Sequence, residues 1–214
     1  MIVYGSSLSP YVRKVLAFAA EKGIEVESKP IALGEQDPAF REASPFGKMP
    51  GFRDGDFAIY DSSAIITYLE AIKPEPALIP AEPRARARTI WYDEFADTLL
   101  MGCGGKMFFN RVVAPRFLKR EGDLAAADKA EREELPPFLD YLERVIPESG
   151  FLVEDRLTLA DLSVASPFAN FGHMGVTCDP ASHPRLKAYV ESILARPSFK
   201  SWVDREAAFL ARAA

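Results

Sequence analysis

At 214 residues and 48% hydrophobic composition, the chain is long enough to bury one substantial core or two small ones and too apolar for disorder. Its formal charge of −5 comes from mixed charges without a basic block, which argues against a nucleic-acid partner, and no stretch suggests membrane association. Two cysteines, Cys103 and Cys178, and two histidines, His173 and His183, lack the spacing of a zinc site or a disulfide framework, so no metal is expected and a reducing, cytoplasmic compartment fits best.

Met1-Ile2-Val3-Tyr4 has neither the positive nor the apolar region of a signal peptide and reads as a first strand over residues 2 to 4. Ser9-Pro10 then opens a helix with Val12, Val15, Leu16 and Ala19 on one face, closed by Lys22-Gly23. Ile24 and Val26 alternate with Glu25 and Glu27, the pattern of a second strand. A polar stretch from Gly34 to Gly47 has room for one helical turn around Phe40. Next, Gly51-Phe52-Arg53 and Phe57 to Tyr60 flank Asp54-Gly55-Asp56, a hairpin pattern in which glycine supplies positive φ. Pro50, which cannot donate to a ladder, stands at the start of that hairpin. Asp61-Ser62 leads into Ile65, Ile66, Leu69 and Ile72 at helical spacing, which puts a helix N-terminus, favourable to anions, at the hairpin's end. The order βαβ then ββα is that of a thioredoxin-like α/β domain.

Pro74, Pro76, Pro80 and Pro83 exclude helix and strand interiors and mark a linker. The expected division is residues 1–73, linker 74–84, and an all-helical domain 85–214, since every later apolar run shows three-to-four spacing. Within it, Met101-Gly102-Cys103-Gly104-Gly105 predicts a kink or break, because each glycine costs a helix roughly 1 kcal/mol relative to alanine. Thr158 to Asp161 carries a capping box with a leucine staple, a folding signal.

Ser9-Pro10, Gly47-Lys48-Met49-Pro50, Asp61-Ser62, the proline linker and the Thr158 to Asp161 box, in this order along the whole chain, resemble the cytosolic glutathione transferases of the serine type, including bacterial members. The resemblance implies a two-domain glutathione transferase fold, glutathione as co-substrate with no other cofactor, a small hydrophobic electrophile, a homodimer and a role in detoxification. Met49 would offer its backbone to the cysteinyl unit of glutathione across a cis Met49-Pro50 bond, an arrangement like strand augmentation. Asp61 and Ser62 would hold the γ-glutamyl end, and Lys48 the glycyl carboxylate. Relatives carry Glu or Gln where this chain has the shorter Asp61, so direct and water-mediated contact both remain open.

Ser9 matches the catalytic Ser of the tau and zeta classes and the Cys of the omega class. No Cys-x-x-Cys occurs in the first domain, which favours a transferase over a thiol oxidoreductase. Tyr4 is the alternative thiolate stabiliser, because other classes place a Tyr near this strand end. For the electrophile pocket the candidates are Met101, Phe108, Phe109, Phe168, Phe171 and His173, aromatic and Met side chains that suit apolar ligands. Arg84, Arg88 and Trp91 are candidates for the subunit interface by analogy. Two functions stand: an enzyme that ionises glutathione and adds it to an electrophile, and a non-catalytic relative that binds or regulates. Dehalogenation, isomerisation and peroxide reduction are alternative reactions on the same fold.

Overall fold

The computed structural model describes residues 1–212. In the first half β1 (Ile2–Tyr4), α1 (Pro10–Glu21), β2 (Glu27–Lys29), α2 (Pro38–Ala43), β3 (Gly51–Asp54), β4 (Phe57–Tyr60) and α3 (Ser62–Ile72) follow one another. They form a four-stranded mixed sheet in the order β2-β1-β3-β4, with β1 and β2 parallel and the other pairs antiparallel. Strand alternation sends Val3 to the α1 and α3 face and Tyr4 to the opposite face, under Phe40 of α2. On the larger face Val15, Phe18, Phe52, Ile65 and Leu69 are fully buried, each worth on the order of 1.5–3 kcal/mol relative to exposure.

One strand differs from the sequence pattern. Ile24 to Val26, most of the apolar alternation, falls before β2, because Gly23 at φ +61° turns the chain off α1 and the Ile24 N–H is taken by Ala19 O at 2.8 Å. Pairing with β1 then begins at Ile2↔Glu27 and runs to Tyr4↔Lys29.

The linker carries no helix or strand from Lys73 to Glu82, and Lys22 Nζ fixes it by reaching Pro76 O at 2.7 Å. Beyond it come α4 (Pro83–Glu94), α5 (Met101–Phe108), α6 (Leu124–Lys129), α7 (Pro136–Val145), α8 (Leu159–His173), α9 (Pro184–Leu194) and α10 (Pro197–Arg212). The expected break at the glycine run does not occur. Helix is continuous from Pro83 to Phe117, with wider π-type turns at Phe95–Leu100 and Phe109–Phe117 on either side of α5. Packing overrides propensity here: a Cβ on Gly104 would stand 2.6 Å from Phe171 Cε1, so the missing side chain lets α5 and α8 approach. Helix α8 is buried along most of its length and touches both α1 and α4, so it is the hub on which the two halves meet. Its start is the capping box: Asp161 Oδ2 accepts from Thr158 N at 2.9 Å, and Oδ1 from Leu152 N at 2.9 Å and Tyr189 OH at 3.2 Å. Burial pushes the Asp161 carboxyl up to about 6 in spite of these donors.

Candidate active site

The turn from β1 into α1 sets the site. Gly5 has φ +139°, and a Cβ there would stand 2.7 Å from Val12 Cγ2 and 3.2 Å from Met49 Cβ, so glycine lets strand, helix and Met49 converge. From the helical half, α8 fixes the following loop: Asn170 Nδ2 donates to Leu8 O at 2.9 Å, and Ser166 Oγ to Pro10 O at 2.8 Å. Ser9 therefore stands at the N-terminus of α1 in a position set by both halves. Its backbone has N-cap geometry, yet its side chain makes no capping hydrogen bond. Ser9 lines a cavity of about 550 Å³ whose thioredoxin-side wall also includes Ser6, Glu35 and Met49.

The opposite wall is apolar. Phe108, Val113, Phe117 and Phe209 line it, and the Phe117 and Phe209 rings stack at 5.9 Å with 4° between their planes. Arg116 Nη1 donates to Leu210 O at 2.9 Å and ties the end of α10, which carries Phe209, to the segment that carries Phe117. Of the aromatic and Met candidates from the sequence, Phe108 reaches this cavity. Met101 and Phe109 do not line it; Phe109 lies outward under the Arg120 guanidinium, 5.3 Å from the ring centroid. Phe168 and Phe171 pack edge to face at 5.2 Å in the core. His173 is held by Glu206, Nε2 to Oε2 2.9 Å, and is likewise outside the lining. Val113, Phe117 and Phe209 were missed because the first two lie at the end of one helix and Phe209 on α10, and no local pattern encodes how these two helices meet.

Tyr4 is only 2% exposed, its ring 6.3 Å from that of Phe40 and beneath Lys29 Nζ at 5.5 Å, and it does not line the cavity. The Met49-Pro50 bond is cis, and Met49 lies just beyond the ladder, which ends at Tyr4↔Gly51. Ser44 Oγ holds the adjoining turn, accepting from Lys48 N at 2.9 Å and donating to Lys48 O at 2.7 Å, while the Lys48 side chain is exposed.

At the α3 N-terminus Asp61 adopts φ +84°, a sparsely populated conformation for a residue with a Cβ. Its Oδ1 accepts from Ser63 N and Ala64 N, both at 3.0 Å, so one carboxylate oxygen serves as the helix cap. Ser62, 2% exposed, points its hydroxyl at Asp97 Oδ2 at 3.4 Å. Asp97 in turn shares Lys14 Nζ with Asp93, at 2.7 and 2.6 Å. Burial pushes the Asp97 carboxyl up to about 6; Lys14 opposes the shift and Asp93 adds to it. Neither cysteine is an active thiol in these surroundings: both are free, burial raises both, and Cys178 reaches about 11.

Residues 3–77 match the family model for the glutathione S-transferase N-terminal domain, and residues 109–206 that for the C-terminal domain. Glutathione S-transferase 3 of Zea mays is 30% identical over 207 residues, 94% of this chain and 92% of that protein. The chain belongs to the glutathione S-transferase family. A solved structure titled glutathione S-transferase III in apo form superposes with a TM-score of 0.79 at 30% identity, covering 95% of each chain. A stringent starvation protein A homolog of Coxiella burnetii is 28% identical over 201 residues, 94% of this chain and 90% of that protein. Within this family member the geometry gathers a hydroxyl, a helix N-terminus and an apolar wall around one space, while Ser62 presents a second helix N-terminus with its hydroxyl near a carboxylate.

Proposed function

We propose that this glutathione transferase activates glutathione through Ser9 and delivers its thiolate to an apolar electrophile in the cavity walled by Phe108, Phe117 and Phe209. The observation that carries the reading is Ser9 itself: it lines the cavity at a helix N-terminus with a side chain not used for capping. Lowering a thiol from near 8.5 by about two units requires roughly 2.7 kcal/mol of preferential anion stabilisation. A hydrogen bond to a charged group contributes about 1.5–3 kcal/mol and the helix N-terminus about 0.3–1, so the two together suffice. The sulfur then forms a bond to the electrophilic carbon, and the leaving group departs with the bonding pair, or an adjacent atom takes it up and is protonated.

Glutathione would lie extended along Met49, its γ-glutamyl carboxylate at the Ser62 N–H and hydroxyl and its glycyl end toward Lys48. With Asp61 Oδ1 engaged as the cap, its other oxygen is the one left for the γ-glutamyl amino group. Ser9→Gly is the test: glycine is nearly as good an N-cap and removes the donor, so turnover of a neutral aryl electrophile should fall tenfold or more, matching about 1.4 kcal/mol. Unchanged turnover in Ser9→Gly with a loss in Tyr4→Phe would return the role to Tyr4.

A second reading, a binding or regulatory protein without the reaction, draws support from the stringent starvation protein A homolog at comparable similarity. Absence of glutathione-dependent turnover in the wild type across neutral aryl halides and enones would favour it. Among the described residues no helix is long and apolar enough to cross a membrane, and we place the protein in the cytoplasm as a homodimer. Phe46, 75% exposed on the loop before Lys48, and Trp91, 47% exposed on α4, are apolar surface of the kind a partner subunit covers. Light scattering on the wild type should give twice the monomer mass, and a monomer at working concentration would contradict this.

A further inference from the structure

Beside the Ser9 cavity lies a second cleft of about 520 Å³, bounded by the Ser6–Leu8 turn, β2 and α10. Ser6, Leu8, Pro30 and Phe209 line both spaces, so the two adjoin across these residues. Each volume is within the range of small-molecule sites. Their chemistry differs. Charged side chains in the cleft are Arg205 and Glu206, and hydroxyls come from Ser6, Ser7 and Ser28.

The charge balance in the cleft has a definite sign. Glu206, 2% exposed, is engaged from behind by Arg13, which donates Nε and Nη2 at 3.0 and 2.7 Å, and by His173 at 2.9 Å. Arg205 forms no ion pair among the described residues, and its guanidinium is held over the Trp202 ring, 5.1 Å from the centroid. Val26, just before β2, and Ser28 within it line the cleft, while Glu27 between them does not. What remains is one uncompensated guanidinium on an aromatic platform, next to the Ser6 and Ser28 hydroxyls and adjoining the reaction cavity.

We propose that the electrophile of this transferase is bipartite: an apolar reactive part beside Ser9 and, reaching past Phe209, a carboxylate held by Arg205 in the second cleft. A guanidinium is planar and offers paired donors, which suits a carboxylate over a neutral ester of the same shape. Arg205 is exposed, so solvent screens the contact and the selectivity expected is about tenfold rather than a thousandfold. The inference rests on the transferase reading, and the experiment separates the two.

An aryl electrophile bearing a carboxylate tail and its methyl ester are compared as a pair, with glutathione saturating, on the wild type, Arg205→Met and Arg205→Lys. The wild type should favour the acid over the ester about tenfold in kcat/KM, Arg205→Met should bring that ratio near one, and Arg205→Lys should keep part of it. Because the readout is a ratio within each variant, loss of folded enzyme does not imitate it. Equal kcat/KM for acid and ester in the wild type, or a preference that survives in Arg205→Met, overturns the bipartite substrate while leaving the transferase reading intact. No turnover of either compound by the wild type counts against both. A binding arm avoids chemistry altogether. In Trp91→Phe the remaining tryptophan is Trp202, and an unreactive aryl carboxylate should change its fluorescence at about tenfold lower concentration than the methyl ester; identical titrations overturn the proposal.

Discussion

Arg13 and Lys14 are neighbours on α1, both fully buried, and each carries a cation into the helical half, yet the two ends are balanced differently. Arg13 meets one carboxylate, Glu206, with Asn170 Oδ1 at 3.0 Å and Ser166 O at 2.7 Å taking its remaining donors. Burial pushes the Glu206 carboxyl up, but hydrogen bonds from His173 and the Arg13 charge outweigh it and hold it below its usual range. Lys14 is shared by two carboxylates, Asp93 and Asp97, and Asp97 is driven up to about 6. Counting partners thus separates a clamp with one anion among several donors from a cluster with an anion in excess. The first braces the loop that carries Ser9; the second lies against Ser62.

The largest effect should come from the clamp. Glu206→Ala leaves Arg13 charged, buried and stripped of its anion, an expected loss of about 3–5 kcal/mol that thermal or urea unfolding would read. Lys14→Met should lose about 3 kcal/mol and less in acid, because an orphaned carboxylate can take up a proton whereas an arginine cannot shed one. If the two variants lose equal stability at every pH, the contrast fails.

The clusters should also differ in the sign of their pH dependence. Asp97 binds its proton more tightly in the folded state, so its contribution is fully present below the ordinary value of 3.8 and is lost as pH rises through about 6. At about 1.36 kcal/mol per unit this amounts to at most about 3 kcal/mol. Glu206 runs the other way: its contribution is present above the ordinary carboxyl value and lost as pH falls through its depressed one. Asp161 shares the sign of Asp97 and also lies near 6, so Asp97→Asn should roughly halve, not abolish, the fall in unfolding free energy between about pH 4 and 6. An unaltered slope would show that Asp97 does not titrate there.

Smaller again is Ser62→Ala. Removing a donor to a charged group should weaken glutathione by about 1.5–3 kcal/mol in calorimetry while the protein stays folded. Unchanged affinity would detach the Lys14 cluster from the glutathione site.

What the sequence disclosed follows the range of the interactions. Strand β1, helix α1, the hairpin, the cap at Asp61 and the box at Asp161 rest on contacts a few residues apart, and all are legible from residue type and spacing. The glycine run misled, since the use of Gly104 is set by Phe171, more than sixty residues on, while Gly102 and Gly105 stand in a helix that this contact holds together. Arg13 and Lys14 look like a solvated pair; the available signal was that α1 is apolar almost all round, with Val12, Val15, Leu16, Ala17, Phe18 and Ala19, so that no face was left for them in water. Asp93 with Asp97, and Ser166 with Asn170, each four apart on a helix, were the matching partners. The cavity wall of Val113, Phe117 and Phe209 had no such signal, because it exists only once α10 is docked.

The central claim, that Ser9 stabilises the thiolate of bound glutathione, is tested most directly by an ultraviolet titration of that thiolate in the wild type and in Ser9→Gly. The bound thiol should titrate about two units below the free value of 8.5 in the wild type, with a midpoint about one unit higher in Ser9→Gly, the equivalent of one lost donor. The same midpoint in both proteins would contradict it.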